Sequence, residues 1–154
     1  MTTLELKERQ DIATDSKLSK LYNQFAVLLS ELRKHKLSPK IITTINESIE
    51  ILNASSLTGD AVRKLVKQKQ TEILKQVEKE HKIVPKNYYR NLWMLLGISA
   101  FGVPIGVAFG LSIGNIGLLG VGLPIGMGIG IAVGTGMDKK ALKEERQLDI
   151  EIKY

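Results

Sequence analysis

A chain of 154 residues with 22 Lys plus Arg, 16 Asp plus Glu and no cysteine would pass, on length and charge alone, for one small soluble domain. The distribution of charge excludes that reading. The 47 residues from Asn91 to Met137 carry no charged side chain, so a mean hydropathy of zero averages a polar chain with an apolar one. Without Cys there is no disulfide framework, no Cys-ligated metal site and no thiol chemistry.

In chain order, residues 1–16 are polar, with Leu4, Leu6 and Ile12 as their large aliphatics, and are expected to be a loosely held start. Residues 17–85 are expected to form a cytoplasmic helical domain. Leu18, Leu21, Tyr22, Phe25, Leu28, Leu29 and Leu32 recur at steps of three and four, which places them on one stripe of a helix. Ser38-Pro39 supplies a stop and a new start, because Pro suits the first helical position after a Ser cap. Ile41, Ile42, Ile45, Ile49 and Leu52 form the next stripe; the β-branched run 41–45 could make a strand, but the spacing continues to Leu52 and the cap agrees with a helix. Thr58-Gly59-Asp60 opens a third helix that carries Ala61, Val62, Leu65, Val66, Ile73, Leu74 and Val77, runs to about Ile83 and stops before Pro85. Three amphipathic helices with short connections predict a small antiparallel bundle or a hairpin plus one. So small a core is marginal unless something else is buried with it.

Residues 86–91 are expected to be a juxtamembrane linker and 92–137 a transmembrane hairpin. An uncharged stretch of this length suffices for two crossings of a roughly 30 Å hydrocarbon core at 1.5 Å per residue. Because it begins about 90 residues along, it is not expected to be a cleavable signal. It holds 13 of the 14 glycines. Gly102, Gly106, Gly110 and Gly114 form one series at intervals of four, and Gly122, Gly126, Gly130 and Gly134 repeat it 20 residues later, with Pro104 and Ile105 matched by Pro124 and Ile125. Glycine at every fourth position leaves a groove into which another backbone can fit. Asn115 to Gly117 is the turn-prone break, and a turn centred on residue 116 sets Gly110 opposite Gly122, Gly106 opposite Gly126 and Gly102 opposite Gly130. Pro104 and Pro124 each remove a helical hydrogen bond, so both helices are expected to kink.

Lys79, Lys82, Lys86 and Arg90 precede the apolar stretch and Lys139, Lys140, Lys143 and Arg146 follow it, while the turn has no cation, so both termini are expected in the cytoplasm. Tyr88, Tyr89, Arg90, Trp93, Lys139 and Lys140 fall where the membrane interface would lie. The charged tail, 138–154, contains an alternation of Leu148, Ile150, Ile152 and Tyr154 with Asp149, Glu151 and Lys153. It is either a disordered or helical end or a strand that pairs in trans.

The glycine spacing, the Gly-x-Pro-Ile-Gly elements and the stop at Met137-Asp138-Lys139-Lys140 resemble small bacterial glycine-zipper membrane proteins with two spans. The resemblance covers the hairpin, implies the bacterial cytoplasmic membrane, and carries no catalytic residue.

Other chemistry finds little support in the residues. Gly120-Val-Gly122 lacks the third glycine of a dinucleotide loop, and no Lys-Ser or Lys-Thr closes a P-loop. His35 and His81 are too far apart to form a helical metal face, and are expected to be solvated or interfacial. Ser99, Ser112 and Thr135 have no acid or base in the run and are expected to bond their own helix backbone. Residues 1–90 hold 17 basic against 11 acidic side chains without interleaved aromatics, which favours an anionic membrane surface over nucleic acid, with an ordinary solvated surface as the equal alternative. The expectation is an all-α, non-enzymatic integral membrane protein without a cofactor. It would be a self-associating scaffold or regulator whose helical domain binds a protein partner. The alternative is a pore-forming or membrane-perturbing effector made of oligomerised hairpins.

Overall fold

The computed structural model describes residues 4–7, 15–115, 117 and 119–153, Leu119 by its backbone alone. The expectations placed on Ile12, Ile116 and Tyr154 lie outside the described residues. The chain is largely helical and divides into two compact units, Met1–Val84 with Leu148–Tyr154, and Pro85–Gln147.

The first unit is built on α1 (Ser16–Arg33), α2 (Pro39–Ala54) and α3 (Gly59–His81), with α3 packed against both of the others. The starts follow from local chemistry. The Asp15 carboxylate accepts the N–H groups of Lys17 and Leu18 at 2.9 and 3.1 Å, and Ser38 caps α2 ahead of Pro39. α3 ends at Lys82 in the left-handed conformation (φ 56°), two residues short of Val84. The apolar stripes meet in one core in which Leu18, Phe25, Leu28, Ile41, Ile49, Leu52, Val62 and Ile73 are fully buried.

Residues from the start expected to be loose and from the end of the tail belong to this unit. Residues 4–7 are held on α1 and α2: the Leu4 and Lys7 N–H groups donate to the Asn46 and Asn53 side chains, and the Leu4, Glu5 and Lys7 carbonyls accept from Arg33, Asn53 and Tyr22. Polar composition was misleading here, because the bonds are made by backbone groups that any sequence carries.

The tail combines features of the expected alternatives: residues 138–143 extend α6, and the chain beyond them is extended. β1 (Val84–Pro85) and β2 (Gln147–Leu148) pair as a two-stranded sheet. Leu148 and Ile150 are then buried in the first unit's core, and Ile152 packs on it. The Asp149 N–H donates to Glu31 Oε2 at 3.2 Å, and the Lys153 N–H and carbonyl bond the Gln24 side-chain amide at 3.0 and 3.2 Å. Side chains of α1 thus take the place of a partner strand. The alternation marks the buried face correctly, and the missing apolar surface of a marginal bundle comes from the chain's own end.

The second unit contains α4 (Tyr88–Gly97), a π-helical turn (Ile98–Gly102), α5 (Val103–Ile113) and α6 (Leu119–Lys143). The first three form one continuous helix, Tyr88–Ile113, which with Gly120–Lys143 is long and apolar enough to cross a membrane. The expected boundaries move outward: 88–91 of the expected linker is helical, and α6 continues past Met137 to Lys143. Lys140 and Lys143 lie in its last turn, where the helix dipole favours cations. Gly114, in the left-handed conformation (φ 70°), ends α5, and the Asn115 side chain accepts the Gly117 N–H at 2.9 Å to shape the turn.

Leu148→Ala is expected to destabilise the first unit by about 2–5 kcal/mol, whereas Lys153→Ala, at an exposed side chain, should change little. Hydrogen exchange of the α1 and α3 amides would show it. Acid should also weaken this unit. The Asp15 carboxyl is held below its ordinary value chiefly by the Leu18 N–H, Glu31 by the Lys34 ammonium, and Glu80 by the Ser38 hydroxyl and then Lys40. Because the unfolded chain takes up protons first, stability falls as pH drops from the ordinary Glu value of 4.5 through the lowered folded values. Unfolding midpoints followed between about pH 7 and pH 3 should decline, and less so in Glu31→Gln and Glu80→Gln.

Candidate functional site

α6 runs antiparallel to α4 and α5, and its glycines are where it meets them. A methyl group on Gly126 would lie under 3.0 Å from the Gly97 carbonyl and the Gly102 backbone. One on Gly122 would lie as close to Gly102 and Gly106, one on Gly130 to Trp93 and Met94, and one on Gly134 to Tyr89 and Arg90. The obstacle in each case is backbone, which cannot swing aside as a side chain can. Gly102 is slightly roomier, at 3.1 Å from the Gly122 carbonyl and 3.2 Å from Leu123 Cα.

The residues of the two series are thus brought together, but not in the expected register. Gly122 meets Gly102 and Gly106 in place of Gly110, Gly126 meets Gly97 and Gly102 in place of Gly106, and Gly130 meets Trp93 and Met94 in place of Gly102. Gly106 and Gly110 are buried. Gly114 takes no part, since nothing lies within 4 Å of a methyl placed on it and its conformation terminates α5.

Gly97 reaches the shared face for a local reason. Gly97 stands five residues before Gly102, outside the four-residue series, and on an α-helix a step of five would rotate it well off the shared face. The π-helical turn Ile98–Gly102 spans that interval, with the Val103 N–H donating to the Ile98 carbonyl five residues back. It absorbs the extra residue and returns Gly97 to the face that packs on Gly126 and Gly130. Pro104 follows immediately, so the hydrogen-bond pattern changes where a proline would have interrupted it. The Ser99 hydroxyl donates to the Leu95 and Leu96 carbonyls at 3.2 and 3.1 Å, the backbone role expected of it. Pro124 lies inside α6 without interrupting it. Gly97 is the packing residue that a search for four-residue spacing misses, and the interval of five beside a proline was the available signal.

At the other end of the pair Asp138 is buried. Its Oδ1 accepts the Tyr89 N–H at 3.0 Å and its Oδ2 the Arg90 N–H at 2.9 Å. These are first-turn donors of α4 that its own helix cannot satisfy, and Asn87 provides no side-chain cap. The residue read as the start of a charged tail is therefore a cap supplied by one helix to the other. Tyr88, Tyr89, Arg90 and Trp93 on α4, and Lys139 and Lys140 on α6, gather at this same end. Tyr88 and Tyr89 pack edge to face at 5.2 Å. Beyond α6, Arg146 pairs with Glu144, which lowers the Glu144 carboxyl pKa, and also meets Tyr89.

The outward surface is the converse of a soluble core. Leu95, Phe101, Phe109, Leu111 and Ile113 on one helix, with Val121, Leu123, Ile125 and Ile129 on the other, are exposed, and about a fifth of each apolar window (22%) is buried. In the first unit, His81 Nε2 accepts the Ser38 N–H at 3.1 Å, a structural use of the imidazole at the α2 N-terminus. No protein-family model, curated protein or solved structure matches the chain.

Alanine substitutions should split by face. Gly126→Ala and Gly130→Ala are expected to destabilise the helix pair by about 1–3 kcal/mol through backbone overlap. Gly128→Ala and Gly136→Ala, where nothing lies within 4 Å, should be neutral or stabilising. Asp138→Ala should cost about 1 kcal/mol as a lost cap. Thermal midpoints in one mild detergent would check all five.

Proposed function

We propose that this is a non-enzymatic integral membrane protein whose second unit crosses the bilayer as a glycine-packed hairpin with both termini cytoplasmic. It acts as a self-associating scaffold or regulator whose first unit engages a protein partner. The observation that carries the membrane reading is the exposure of the apolar side chains while glycine backbone fills the inside. In water that surface would be a large apolar patch. In lipid it is the solvated face, and the helices gain their contacts from close backbone approach.

Both cationic flanks support the orientation: Lys86 and Arg90 before the pair and Lys139 and Lys140 after it lie at one end, with an uncharged turn at the other. Self-association is supported by a second run of small positions on α6. Gly120, Gly128 and Gly136 have nothing within 4 Å of an added methyl, and Ala132 continues their spacing. One side of α6 serves the first helix and leaves this side for a neighbouring protomer. The glycine-zipper family is the class this arrangement resembles.

Cysteines placed at Lys20 and at Lys153 should both be shielded from an impermeant thiol reagent in intact cells, while one at Asn115 should be labelled. Labelling of only one terminus would refute the topology. A strictly monomeric mass in lipid nanodiscs would refute self-association, and leakage of dye from liposomes that contain the protein would replace the scaffold with a pore.

A further inference from the structure

Within the second unit a cavity of about 270 Å³ opens beside the buried Asp138, lined by Lys86, Asn87, Arg90, Thr135, Lys139 and Gln147, with Leu142 on it as well. We infer that it binds the phosphate of an anionic phospholipid headgroup. This rests on the membrane reading above and names a ligand for that surface.

Three features lead to the assignment. The charged lining comprises three cations and one carboxylate, and both oxygens of that carboxylate already accept backbone N–H groups of α4. The Lys86 and Lys139 ammonium groups and the Arg90 guanidinium can donate charge-assisted hydrogen bonds to phosphate oxygens. Amide and hydroxyl groups of Asn87, Gln147 and Thr135 can donate to the remaining oxygens.

The second feature is depth. Arg90 and Asp138 are the charged residues that immediately bound the uncharged run Asn91 to Met137, so the cavity sits where hydrocarbon gives way to the headgroup layer. A phosphodiester reaches that level by its own amphipathic structure. The third is shape. The volume falls just below the range of pockets that enclose whole drug-sized ligands, which suits a headgroup held by its phosphate. Leu142, 60% exposed, offers apolar surface to the glycerol and upper acyl chain.

The test uses the full chain in nanodiscs of phosphatidylcholine alone or with phosphatidylglycerol, and reads lipid retained by native mass spectrometry together with the thermal midpoint. The wild-type protein should retain phosphatidylglycerol in preference to phosphatidylcholine and gain thermal stability from it. The Lys86→Gln/Lys139→Gln double variant should lose about tenfold in retention for each cation removed, the strength of a charge-assisted hydrogen bond. Lys140→Gln/Lys143→Gln removes the same charge outside the cavity and should retain the lipid as the wild type does. Equal losses in the two double variants would overturn the site in favour of diffuse attraction to the leaflet. No preference in the wild type would overturn it whatever the variants do. Inorganic phosphate that protects as well as the lipid would overturn the lipid assignment. Failure to enter phosphatidylcholine nanodiscs would instead refute the membrane reading and this inference with it, so the two failures are distinguishable.

Discussion

The contact on which the second unit depends is backbone against backbone. Four glycines of α6 lie so close to α4 and α5 that a single methyl group on any of them would overlap main-chain atoms. The stabilisation is dispersion over a long, flat contact, and it vanishes steeply with separation. It also fixes register, because the helices can approach only where glycine faces glycine or an equally low stretch of backbone. The π-helical turn is a consequence of that demand: one residue too many between Gly97 and Gly102 is absorbed so that the first helix keeps its low face turned to the second.

The same contact explains the polar end. Once Gly134 brings α6 against the Tyr89 and Arg90 backbone, the first-turn N–H groups of α4 are covered and need an acceptor. Asp138, one turn further along α6, supplies both oxygens. A carboxylate there also meets the positive end of the helix dipole. Cap, cations and cavity therefore follow from where the glycines stop.

The stripes of α1, α2 and α3 and the caps at Asp15 and Ser38 could be read directly, since each is a local pattern of spacing or of a residue beside its own helix. The thinness of the resulting core was legible too. What filled it was not. Leu148 and Ile150 were marked as one face of an extended segment, but nothing in their spacing tells whether that face meets a partner chain, lipid or the protein's own α1. Glu31 and Gln24, whose side chains bond the tail's backbone, looked like ordinary polar positions on a helix.

Residue pattern alone determined the helical class, the division into a polar and an apolar part, the two long apolar helices and the glycine faces that join them, because periodicity and composition are properties of neighbouring residues. Only the tertiary structure decided the register of those faces, the part played by Gly97, the capping role of Asp138 and the docking of the tail. Each of these pairs groups that are far apart in the chain. Their pairing depends on how tightly two backbones can approach and on which buried N–H group still lacks an acceptor, and neither is written in the spacing of either segment by itself.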